Sequence, residues 1–123
     1  LGLGWAWDDL DDGYAAPVDE LLFNEGFARV TVVGGARPGA PVSVRTAPAA
    51  TLPQLGRIDV VTERNCCMLR SRVTAAYDLR GPRPLLTLAG TVRAGDSVTV
   101  AVALRAPNTA FLEAFHEALR GRG

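Results

Sequence analysis

From Phe27 onward, apolar and polar positions alternate in short runs broken by Gly and Pro clusters, the spacing of β-strands. Residues 27–33 alternate partly, and Gly34-Gly35-Ala36-Arg37-Pro38-Gly39 reads as a loop. Residues 41–46 resume the alternation with Val42 and Val44 on one side, a hairpin signal with a connection longer than a two-residue turn. Residues 57–62 predict a third strand and 68–77 a fourth. In the fourth, Leu69, Ser71, Val73 and Ala75 share one face, and Arg70, Arg72 and Thr74 share a solvated one. Arg80-Gly81-Pro82-Arg83-Pro84 forces a turn, because proline fixes φ and cannot donate to a ladder. Residues 85–92 and 97–104 follow as strands around the turn Arg93-Ala94-Gly95-Asp96. In the last strand Val98, Val100, Val102 and Leu104 fall on one face. The small Thr99, Ala101 and Ala103 on the other predict packing against a neighbour.

The period changes at the end of the chain. Phe111, Leu112, Phe115, Ala118 and Leu119 recur at helical spacing, with Asn108 or Thr109 as predicted cap and Gly121 as predicted stop. Glu113 and Glu117 lie on the polar side, and Arg120 suits the negative end of the helix dipole. A shorter helix is predicted near Ala16-Pro17, with Val18, Leu21 and Leu22 inward. The whole predicts a single α+β domain over residues 1–123, mainly antiparallel strands with a C-terminal amphipathic helix packed on the sheet.

Composition narrows the function classes. The chain is 48% apolar over 123 residues, enough for an ordinary core, and its 13 basic and 13 acidic residues sum to zero. The charges are spread without a basic block, which excludes the electrostatic footprint of a nucleic-acid binder. No apolar run approaches the roughly 20 residues of a membrane span, and the N-terminus shows no signal-peptide pattern. Cys66 and Cys67 are adjacent, which strains a bridge between them, and no His or further Cys lies near to complete a metal site. They read as free thiols on opposite faces of a strand.

Candidate chemistry concentrates near the N-terminus, in Gly4-Trp5-Ala6-Trp7-Asp8-Asp9-Leu10, then Tyr14-Ala15-Ala16-Pro17 and Leu21-Leu22-Phe23-Asn24-Glu25. Trp5, Trp7 and Tyr14 could stack on sugar rings. In a chain with 7% aromatics, however, their large apolar area reads first as core or interdomain anchoring. Asp8, Asp9, Asp11 and Asp12 raise calcium binding. Counted from Asp8, Gly13 falls sixth as in an EF-hand, but Leu10 stands third and Asp19 twelfth, so a solvated acidic turn paired to Arg is the better reading. No metal or cofactor is expected.

These motifs resemble the D-alanyl-D-alanine carboxypeptidase/endopeptidases, the low-molecular-mass class C penicillin-binding proteins. The resemblance is strongest over residues 4–25 and again in Val102-Ala103-Leu104-Arg105-Ala106-Pro107 followed by Phe111 and Leu119. One departure is Asn24-Glu25-Gly26, where the family typically has Asn-Glu-Asn, so glycine's freer backbone replaces a turn built by an Asn side chain. The family's chemistry needs lysine in Ser-x-x-Lys and in Lys-Thr-Gly, yet every basic residue here is Arg. His116 is a lone histidine, and Ser43, Ser71 and Ser97 sit in no nucleophile elbow.

The resemblance therefore implies an exported, extracytoplasmic protein of which this chain is the non-catalytic accessory region inserted between the catalytic motifs. No catalytic residue is expected within it. Trp5, Trp7, Tyr14, Phe111 and Phe115 form the candidate packing or interaction surface. The expected partner is the catalytic domain of the parent chain, with peptidoglycan and a second subunit as further candidates. The rivals are a free-standing glycan- or peptide-binding module and an oligomerisation domain.

Overall fold

The computed structural model describes residues 24–47, 53–65 and 70–122. Expectations on Trp5, Trp7, Tyr14, the acidic run, the short helix near Pro17 and the two cysteines lie outside them. The elements are β1 (Phe27–Val33), β2 (Ser43–Ala47), β3 (Leu55–Glu63), β4 (Arg72–Asp78), β5 (Leu85–Arg93), β6 (Ser97–Ala103) and α1 (Pro107–Arg122). The strands form two three-stranded sheets, ordered β2-β1-β6 and β3-β5-β4. With the C-terminal helix this is the expected α+β class. By contact density the chain divides into two compact units.

One unit comprises Val30–Arg45 and Pro53–Val100. Its sheet is built around β5, which pairs with β4 antiparallel and with β3 parallel. The parallel pair is the exception within a fold expected to be mainly antiparallel; alternation does not reveal it, because it records which face a residue occupies and not the direction of the neighbouring strand. The segment between β3 and β5 is long enough for the crossover a parallel pair needs. A hairpin loop containing Pro82 and Pro84 joins β4 to β5, where the sequence placed a turn.

Being central, β5 buries Leu86, Leu88 and Val92 completely, and each is worth about 1.5–3 kcal/mol of transfer free energy. Val73 of β4 and Val30 and Val32 of β1 complete the buried apolar set of this unit. Arg72 and Thr74 are exposed, as their face predicted. Opposite Val73 in the register stands Gly90, with φ of 136°. A Cβ there would collide with the Arg72 carbonyl oxygen, so a side chain is excluded by the approach of β4.

The connection after β1 is tied down by Thr62, the one polar residue among the described residues that is buried. Its Oγ1 donates to the Ala40 carbonyl at 2.7 Å and accepts the Gly35 N–H at 3.1 Å, while its carbonyl accepts the Gly39 N–H at 2.8 Å. The edges of the loop are thereby hydrogen-bonded to the end of β3.

The other unit comprises Leu1–Arg29, Thr46–Leu52 and Ala101–Gly123. Asn24, Glu25 and Gly26 all have positive φ, of 50°, 57° and 79°. Asn24 Nδ2 donates to the Phe27 carbonyl at 2.7 Å, and the Gly26 carbonyl accepts the Leu104 N–H at 2.8 Å. The turn so held leads into Ala28, buried like Val102, Ala103 and Leu104.

The face expectation for β6 holds only in part. Ala103 is buried, but Thr99 and Ala101 are exposed, and the Thr99 hydroxyl instead meets the Thr31 hydroxyl at 2.8 Å. Thr99 thus serves a cross-strand hydrogen bond, and packing on this face is confined to Ala103.

Candidate functional site

Phe111 and Phe115 are the predicted site residues among those described, and both stand on α1. The helix begins at Pro107, earlier than the expected Asn108 or Thr109 cap. Proline suits this position because its φ is already helical and its missing N–H would have had no intrahelical partner. Asn108 Oδ1 accepts the Thr109 N–H at 2.7 Å. The helix runs through Gly121 to Arg122, past the expected stop, with Arg120 and Arg122 in its last turn. One face is turned inward: Pro107 and Ala110 are buried, and Phe111 and Ala114 are half-buried. Phe115 is exposed, and its ring lies parallel to that of Phe111 with centroids 6.2 Å apart. Leu112 and Leu119 are exposed beside it.

Sequence reasoning missed a polar cluster at the β5–β6 turn. Asp96 N–H donates to the Arg93 carbonyl at 3.0 Å, closing the turn, and Gly95 at its third position has φ of 76°. Asp96 Oδ2 accepts from Ser71 Oγ at 2.6 Å, from Arg93 Nε at 3.3 Å and from Arg93 Nη2 at 3.2 Å; its Oδ1 accepts the Ser97 N–H at 2.9 Å. Ser71 Oγ also accepts the Arg93 N–H at 3.0 Å. The Ser71 hydroxyl, then the Ser97 amide, then the Arg93 guanidinium hold the Asp96 carboxyl below the usual carboxylate range. The turn itself was legible, but Ser71 lies 25 residues away and no local signal couples it to Asp96.

Chemically, the cluster fastens a turn. The Ser71 proton is directed at a carboxylate made less basic by its donors, and the Ser71 oxygen is occupied by an amide. That is the opposite of an activated nucleophile, which needs a base poised to take its proton. His116 is exposed on α1. Among the described residues no group of three or more His, Cys, Asp or Glu side chains is placed to hold a metal ion.

The architecture has a counterpart among penicillin-binding proteins. Penicillin binding protein 4 from Haemophilus influenzae superposes with a TM-score of 0.65 over 98% of this chain, at 16% identity. At that identity the likeness is one of fold. The chain spans 26% of that protein's length. No curated protein matches it. The D-Ala-D-Ala carboxypeptidase 3 (S13) family matches residues 1–123, and the chain belongs to that family. The resemblance carried by the Trp and Asn-Glu motifs is thus borne out over the whole chain.

Proposed function

We propose that these 123 residues are a non-catalytic accessory region of a larger serine-type D-Ala-D-Ala carboxypeptidase that remodels peptidoglycan outside the cytoplasm. The observation that carries this reading is a chain matched by the family from residue 1 to 123 that contains no lysine. Ser-x-x-Lys and Lys-Thr-Gly each need one. A serine elsewhere in the polypeptide would attack the D-Ala-D-Ala carbonyl, form an acyl-enzyme and release it to water. The region described here positions substrate or makes contacts for that domain. The Ser71, Asp96 and Arg93 cluster supports the reading, since its one serine is committed to holding a turn.

The test is acylation. A labelled penicillin incubated with the full-length protein is expected to modify a peptide outside residues 1–123, and residues 1–123 produced alone are expected to remain unlabelled. Labelling of Ser43, Ser71 or Ser97 would refute the assignment.

A further inference from the structure

The terminal helix leaves three of its large apolar side chains exposed. Successive residues are about 100° apart around an α-helix, which places Pro107, Ala110, Phe111 and Ala114 on the inward arc. Leu112, Phe115 and Leu119 fall on an adjoining arc, centred roughly a third of a turn from the first, and they remain 57%, 52% and 54% exposed. Thr109, Glu113, His116, Glu117 and Arg120 occupy the rest of the circumference and are exposed, as polar residues should be. Three large apolar side chains in adjoining turns form a contiguous stripe, and contiguous apolar stripes mark contact surfaces more often than scattered ones do.

The size of the stripe selects its occupant. Three half-exposed side chains fall well short of the roughly 800 Å² per partner that a stable bimolecular complex buries. A second copy, meeting the same stripe on the same helix, would gain too little to offset the loss of free translation and rotation. A partner on the same polypeptide does not incur that loss, because tethering supplies a high effective concentration. Leucines on either side of Phe115 offer no donor or acceptor to sugar hydroxyls, which disfavours glycan. A tethered partner is at hand on the accessory-region reading: the structural neighbour is about four times as long as this chain, which covers 26% of it, and the lysine-bearing motifs must lie elsewhere.

We propose that Leu112, Phe115 and Leu119 form the face through which this region seats on the catalytic domain of its own polypeptide, against an apolar patch of that domain. The proposal rests on the accessory-region reading. In the full-length protein, Leu112→Cys, Phe115→Cys and Leu119→Cys are compared one at a time with His116→Cys and Arg120→Cys for the rate of thiol alkylation. Rates are read peptide by peptide by mass spectrometry, so that Cys66 and Cys67 do not interfere. All five positions are exposed in this chain, so the substitutions leave its own core intact.

The three stripe positions are expected to react at least about tenfold more slowly than the two controls, independently of protein concentration. A smaller difference overturns the proposal, as does protection that disappears on dilution, which would assign the stripe to a second copy. The penicillin label on the unsubstituted protein separates the two ideas. If it maps outside residues 1–123 while all five cysteines react alike, only the docking face fails; if it maps inside them, the accessory-region reading fails.

Discussion

Ser71 Oγ donates a 2.6 Å hydrogen bond to Asp96 Oδ2, joining the approach to β4 with the turn that ends β5. With Arg93 on the same oxygen and the Ser97 amide on the other, the carboxylate satisfies donors from three residues, one of them distant in sequence. The Asp78 carboxyl is likewise held low, by the backbone N–H and then the side chain of Arg80. A carboxyl whose pKa is depressed by folding contributes stability that is complete above its unfolded value of about 3.9 and is lost as pH falls through the folded value. Asp96→Asn is therefore expected to melt below the wild type at pH 7, and the gap is expected to close as pH drops through the acid range. Thermal melts of both proteins between pH 7 and 2 measure this. A gap that does not change with pH would mean that the carboxylate charge is not what secures the turn.

Thr62→Val keeps the shape of a buried side chain and removes its hydroxyl. The Ala40 carbonyl loses its donor and the Gly35 amide its acceptor. Leaving such groups unpaired costs about 1–3 kcal/mol. Urea denaturation should show that loss, and hydrogen exchange should show faster exchange at Gly35. An unchanged Gly35 amide would indicate that the loop is held without Thr62.

How far the sequence could be read depended on whether the information was local. The burial of Val30, Val32, Leu86, Leu88 and Val92 follows from alternation within each strand, and the turn at residues 93–96 from its Gly-Asp pair. The β4 hairpin leaves one edge of β5 open for β3, and neither that neighbour nor its parallel direction is encoded in alternation. The helical period of α1 was legible too, but it merged two arcs into one stripe. Periodicity marks apolar positions, not which of them the domain itself covers, so the exposure of Leu112, Phe115 and Leu119 emerged only from the fold. The serine side of the Ser71–Asp96 contact and the role of Thr62 were hidden because their partners are distant in sequence.

Gly90→Ala tests the close approach of β4 to β5. The new methyl group would meet the Arg72 carbonyl oxygen, and the backbone at φ of 136° is one that L side chains rarely adopt. Strain of this kind costs about 1–3 kcal/mol before any clash, so a loss of about 3 kcal/mol or more in chemical denaturation is expected. Because Val73 is the register partner of Gly90, exchange at Val73 should rise with it. Wild-type stability in this variant would mean that the strands can separate at this point without consequence.

The turn at Asn24, Glu25 and Gly26 offers a comparison between two substitutions at one position. Gly26 has φ of 79°, in the left-handed region, and its carbonyl receives the Leu104 amide at the start of the chain's exit from β6. Alanine there opposes its Cβ to the carbonyl oxygen and is expected to lower stability by about 1–2 kcal/mol. Asparagine visits the left-handed region more readily than other L residues, because its short polar side chain can hydrogen-bond locally. Gly26→Asn is therefore expected to destabilise less than Gly26→Ala, although it is the larger change in volume. Paired denaturation curves decide the matter. Should asparagine prove the more damaging, the buried surroundings of Gly26, rather than its backbone angle, would be what selects glycine at this turn.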